Sequence, residues 1–122
     1  MVFVTVDSCR THQEEFTKLL LAAFPGSVVY QHLTINHVSH DVLHNKVDAV
    51  FVEAELQQVN GLPLIQMLRK QKPNLPVFII SKSNCSCESV VEADANGCFV
   101  LPDHEQQLLE AIRLLKNKEK VS

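Results

Sequence analysis

VDAVFVEAELQQVNGLPLIQMLRK, residues 47–70, holds the passage that decides the fold. Ala49-Val50-Phe51-Val52 is an unbroken run of apolar, strand-forming residues. Side chains of a strand alternate between its two faces, so a run that is apolar at every position belongs to a strand covered on both sides. The run stops on a carboxylate, Glu53, and a second acid, Glu55, follows two positions on. Asn60-Gly61 then opens a helix that carries Leu64, Ile65 and Leu68 on one side, and Lys72-Pro73-Asn74 breaks it. A buried strand, a polar loop and an amphipathic helix in that order are the opening of a parallel crossover unit.

The same unit repeats outward in both directions. Toward the N-terminus, Val2-Phe3-Val4-Thr5-Val6 reads as a strand ending at Asp7-Ser8. Phe16, Leu19, Leu20 and Ala23 mark a helix after it, with Thr11 and Glu14 as a capping box and Pro25-Gly26 as the stop. Ser27-Val28-Val29-Tyr30 is a short second strand, and Val38, Val42 and Leu43 mark a second helix ended by Asn45. Toward the C-terminus, Pro76-Val77-Phe78-Ile79-Ile80 is a fourth strand. A helix over about 86–95 with little to bury follows it, and Cys98-Phe99-Val100-Leu101 is a fifth strand stopped by Pro102. Asp103 with Gln106 is expected to cap a last helix striped by Leu108, Leu109, Ile112 and Leu115. Five strands alternating with five helices predict an α/β, doubly wound sandwich: a parallel sheet with helices on both faces, joined by right-handed crossovers. Ligand chemistry in such folds gathers outside the carboxyl ends of the strands. Asp7, Ser8, Glu53, Ser81 and Leu101 all fall there.

Bulk properties narrow the function. The chain has 122 residues, 46% of them hydrophobic and 20% charged, which suits one soluble domain. We expect the domain over 1–117 and a charged tail or linker start over 118–122. No window approaches the roughly 18 apolar residues of a membrane span, and no basic-then-apolar leader opens the chain, so a cytoplasmic location is expected. A net charge of −3, with no basic stripe, argues against direct nucleic-acid binding. Four cysteines, Cys9, Cys85, Cys87 and Cys98, are expected to be reduced thiols in that compartment. His37, His40 and His44, close to His32, are expected to make a solvated polar face in preference to a metal site.

The chain resembles the receiver domain of two-component response regulators, a flavodoxin-like module with strand order 2-1-3-4-5. Residues 47–70 look like its third strand and the loop into the following helix, PNLPVFIISKS like its fourth strand, and ADANGCFVLP like its fifth. Asn60-Gly61, Gly97 and Pro102 fall at the family's spacing, and the likeness runs from Val2 to about Lys116. The resemblance implies a site of two adjacent acids after strand one and a phosphoacceptor aspartate after strand three, all holding Mg²⁺. A hydroxyl after strand four and a lysine after strand five complete it.

Several of those parts are altered here. Asp7 is present but Ser8 stands beside it, Glu53 takes the phosphoacceptor place, Ser81 keeps the hydroxyl, Leu101 replaces the lysine, and Cys98 replaces the aromatic switch residue that the family couples to the hydroxyl. Mg²⁺ favours several hard oxygens in strict octahedral geometry, so losing an acid lowers its affinity. Glutamate sets its carboxylate about 1.5 Å further out, and a misplacement of about 1 Å can cost a hundredfold in rate. Loss of the cation removes a transition-state contribution commonly worth about 3 kcal/mol.

The expectation is therefore a degenerate receiver, not an enzyme and without a cofactor, weak Mg²⁺ binding being possible but not expected. It would work through a protein partner or homodimer formed by the fourth helix, fifth strand and last helix, with an output domain in a longer chain as a further possibility. Glu53 is then either a permanent imitation of the phosphorylated state or a solvated relic, Glu55 a loop acid, and Asp7 a local cap. Ser81 is expected to bond backbone groups and Cys98 to pack as a small apolar residue. Three other readings stand beside it. One is an active phosphoacceptor in a histidine-kinase relay. Another is a thiol or metal sensor using Cys9, Cys85, Cys87 and His104. The third is flavin binding, which the glycine-free, acidic loop Asp7–His12 disfavours.

Overall fold

The computed structural model describes residues 1–54, 58–59, 62–81 and 95–121. Five strands form one parallel sheet: β1 (Val2–Val6), β2 (Val28–His32), β3 (Ala49–Glu53), β6 (Val77–Ser81) and β7 (Gly97–Val100). Their order is β2-β1-β3-β6-β7, which is 2-1-3-4-5 when only this sheet is counted, as expected. Every neighbouring pair is parallel. Helices α1 (Arg10–Ala23), α2 (Val38–His44), α3 (Leu64–Gln71) and the C-terminal helix (Glu105–Val121) cover the sheet.

The alternation of side chains divides the core cleanly. Val4, Val6, Val50, Val52, Val77 and Ile79 face α2 and α3, where they pack against Val38, Val42, Leu64, Ile65 and Leu68. The intervening Phe3, Phe51 and Phe78 face α1 and the C-terminal helix, against Phe16, Leu20, Leu108 and Ile112. One face is thus built from β-branched side chains and the other from phenylalanines. Phe51 sits at the centre of the second, its ring 5.7 Å from Phe3, 5.1 Å from Phe16 and 5.7 Å from Phe78. Burial of each such side chain stabilises by about 1.5–3 kcal/mol, so the sheet is anchored from both sides.

Several boundaries differ from expectation. The capping box at Thr11 and Glu14 does not form: α1 begins at Arg10 with Cys9 as N-cap, and no side chain caps it. The strand-to-helix turn is tightened one step earlier, where Cys9 N donates to Asp7 Oδ1 at 2.8 Å. Asp103 makes no capping bond among the described residues; His104 accepts at Nδ1 from Val100 N at 3.0 Å and leads into the helix from Glu105. Ahead of α3, β4 (Gln58–Val59) and β5 (Leu62–Pro63) pair antiparallel, a small ladder that the polar loop did not suggest. The expected helix over about 86–95 lies outside the described residues apart from Ala95, which packs on the α2/α3 side.

Candidate functional site

The register of the sheet determines which side chains meet at its carboxyl edge. Val6 lies level with Val52, Glu53 with Ile80, and Ser81 with Val100. Glu53 therefore stands level with Ile80 and Phe99, Asp7 follows Val6 at the same end of β1, and Leu101 lies two residues beyond Phe99; by alternation Asp7, Glu53 and Leu101 share the face on which Phe3, Phe51 and Phe99 lie. That face is the one covered by α1 and the C-terminal helix. A cavity of about 380 Å³ opens there, reaching from Asp7 and Glu53 past Phe16 and Leu19 of α1 to Leu101, Pro102 and Glu105.

Glu53 is the buried acid of this site, 9% exposed. Its Oε2 accepts two hydrogen bonds from one residue, the backbone N–H and the hydroxyl of Ser8, both at 2.9 Å. Oε1 accepts none from any described residue. Hydrogen bonds to an ionised acceptor are stronger than neutral ones, and two of them answer much of the cost of burying the charge. The turn that aims Ser8 at Glu53 is itself held from below. Gln13, 2% exposed, is paired through its side chain with the Thr5 hydroxyl and donates at Nε2 to His32 O at 2.6 Å. Asp7 N also donates to His32 O, at 3.0 Å. Leu101 N donates to Ser81 O at 3.0 Å, and the Leu101–Pro102 peptide is cis. Four acids, Asp7, Glu15, Glu53 and Glu105, line the cavity, and among its described lining residues there is no lysine or arginine.

Asp7, Ser8, Glu53, Ser81 and Leu101 are thus brought together around one opening. Cys98 is not part of it: it packs against the α2/α3 cluster on the opposite face and is disulfide-bonded. This departs from the expected reduced thiol, because sequence spacing alone does not disclose which cysteines the fold draws near one another. Cys9 is a free thiol. Glu55, Cys85 and Cys87 lie outside the described residues. The histidines separate: His32 pairs with Asp41 at 2.6 Å, while His40 and His44 stack at 4.2 Å. Gln13 went unremarked in the sequence, although a signal was there. It stands three and seven residues before Phe16 and Leu20, on the apolar stripe of α1, where a polar residue needs a buried partner.

Comparison with known proteins agrees with the topology. The sequence model of the response regulator receiver domain matches residues 4–113. Stress response regulator protein 1 of Lodderomyces elongisporus is 30% identical over 84 residues, which are 67% of this chain and 23% of that protein. The chain therefore spans less than a quarter of that relative's length. A response regulator receiver protein from Pseudoalteromonas atlantica superimposes with a TM-score of 0.75 at 15% identity, over 98% of this chain and 99% of its own. A receiver domain from Clostridium thermocellum gives a TM-score of 0.79 at 18% identity, over 98% and 97%. The isolated REC domain of RcsB from Salmonella enterica serovar Typhimurium, with phosphomimetic BeF3-, gives 0.78 at 15%, over 96% and 88%. At these identities the likeness is one of fold. With one family accounting for residues 4–113 and the strand order agreeing with it, the chain belongs to the response regulator receiver domains.

Proposed function

We propose that this receiver domain serves two-component signalling by protein contact, independently of phosphorylation and without catalysing a reaction of its own. The observation that carries the reading is the closure of Ser8 on Glu53 through both its N–H and its hydroxyl at 2.9 Å. Two acids at these positions repel each other and need a cation between them. A hydroxyl and an acid attract, so the pair is satisfied without metal. The donor set fits Mg²⁺ poorly. Asp7 spends Oδ1 on the Cys9 amide, Glu53 spends Oε2 on Ser8, and the second acid is missing. Leu101 supplies no charge to stabilise a transferring phosphoryl group. Glu53 instead keeps a permanent negative charge at the phosphoacceptor place.

The contact surface in this reading is the one expected from the sequence, whose described parts are β7 and the C-terminal helix, engaging a protein partner or a second copy. Leu114 of that helix is 60% exposed, a large apolar side chain directed outward. A longer parent chain with an output domain is supported by the 23% share of the Lodderomyces relative that this chain covers. That relative is named a stress response regulator, and a stress-signalling chain is the setting we propose. The reading is tested by adding Mg²⁺ and acetyl phosphate, then following intact mass and association with partner or self. Neither should change. A phosphoryl mass increment that alters association would overturn it.

A further inference from the structure

We propose that Cys98 is a redox modification site, forming with Cys85 or Cys87 a thiol–disulfide pair that is closed and opened by exchange with small disulfides and thiols of the glutathione class. Cys98 is disulfide-bonded in the structure. The chain has four cysteines and Cys9 is a free thiol, so within the chain the sulfur joined to Cys98 belongs to Cys85 or Cys87, both outside the described residues. Cys98 stands second in β7, level with Ile79 of β6, and packs on the α2/α3 side of the sheet. The bond therefore ties the connection that leaves β6 to the strand into which it leads, closing a ring of roughly a dozen residues. Glu53, Asp7 and Leu101 lie on the opposite face of the sheet, so the proposal stands whether or not their pocket accepts a phosphoryl group.

Three observations make this bond a switch in preference to a permanent staple. The sheet is held by its own ladders and by apolar packing on both faces, whereas permanent disulfide frameworks belong to small domains without a sufficient core. Cys98 is only half-buried, so a small thiolate can reach its sulfur. The Cys85-Ser86-Cys87 run brings two sulfurs to one bond and leaves a third thiol two positions away in sequence, a nucleophile supplied with the bond it can attack. Closure runs in two displacements. One cysteine thiolate attacks a sulfur of the small disulfide, forms a mixed disulfide and expels the first small thiolate. The second cysteine thiolate attacks the protein sulfur of that mixed disulfide, forms the protein bond and expels the second. The two protein thiols lose two electrons and two protons, and the small disulfide takes up both as two thiols. Opening is the same sequence reversed, with two small thiols as the reductant.

The test equilibrates the whole folded chain in mixtures of reduced and oxidised glutathione, quenches with acid, alkylates with N-ethylmaleimide and maps the digest by mass spectrometry. Cys98 should pass from alkylated to linked with Cys85 or Cys87 as the oxidised share rises, along one curve approached from either side. The backbone amides of Ile79, Phe99 and Val100, which flank Cys98 in β7 and beside it in β6, should shift in step with the link. Cys9→Ser should leave the curve unchanged. Cys98→Ser should abolish the link and make the Phe99 and Val100 amides insensitive to the mixture; should it not fold, the natural chain and Cys9→Ser decide. Cys98 alkylated in every mixture, or carrying glutathione as its end state, overturns the proposal. So does a bond that opens only after unfolding, a link to Cys9 or to a second chain, or β7 amides that do not move with the link or still move in Cys98→Ser.

Discussion

Removing the Ser8 hydroxyl with Ser8→Ala probes the bond on which the site depends. In the structure Glu53 Oε2 has two donors at 2.9 Å, and the substitution deletes one while the Ser8 amide stays. A hydrogen bond to a charged acceptor contributes about 1.5–3 kcal/mol net. The carboxylate borders an open cavity into which water can move, so the lower end applies, about 1.5 kcal/mol. For a chain of this size that corresponds to a fall in Tm of about 6 °C. Urea unfolding followed by circular dichroism measures it, with midpoints shifted and slope unchanged. The specific content lies in the double-mutant cycle with Glu53→Gln: the Ser8→Ala cost should shrink by about 1 kcal/mol in that background, because the charge that strengthened the bond is gone. If Ser8→Ala costs the same with and without the Glu53 carboxylate, the hydroxyl is not serving that carboxylate and the account of the site is wrong.

Three further outcomes are expected. Phe51→Ala, at a residue 1% exposed with three aromatic neighbours, should cost about 3–5 kcal/mol in the same unfolding experiment; under about 1 kcal/mol, the division of the core has been misread. Gln13→Ala removes the buried amide that ties Thr5 to His32 and should cost about 1–3 kcal/mol. It should also speed hydrogen exchange at the Asp7 amide, whereas unchanged exchange there would separate Gln13 from the turn. Gly26→Ala meets no atom within 4 Å but must adopt a φ of +86°, so a loss of about 1 kcal/mol from backbone conformation alone is expected; a neutral result removes that explanation.

The fold could be read from sequence because its strands are apolar at every position and its helices at every third or fourth. Residues 49–52 and the stripe Leu108, Leu109, Ile112 each permit one environment only, and the structure buries all of them. The mouth of the sheet could be read for the same reason, since a strand that ends on Glu53 must present that acid at an edge. What escaped was contact across distance. Ser8 and Glu53 are 45 residues apart, and only the register of β1 on β3 makes a hydroxyl and a carboxylate partners. The capping box at Thr11 and Glu14 satisfied a local pattern, yet α1 starts at Arg10 because the Asp7–Cys9 turn joins it directly to β1. Local propensity lost there to the geometry of the crossover. Cys98 illustrates the same limit: its strand could be recognised from sequence, but neither the face it occupies nor its disulfide could.

The central claim is that this pocket does not carry out phosphoryl transfer because Ser8, Glu53 and Leu101 replace the groups that such transfer needs. The most direct test incubates the natural chain and the rebuilt variant S8D/E53D/L101K side by side with Mg²⁺ and acetyl phosphate, and follows base-labile phosphoryl mass over time. We predict no labelling of the natural chain and clear labelling of the rebuilt one. Labelling of the natural chain at a rate comparable to the rebuilt variant would contradict the account.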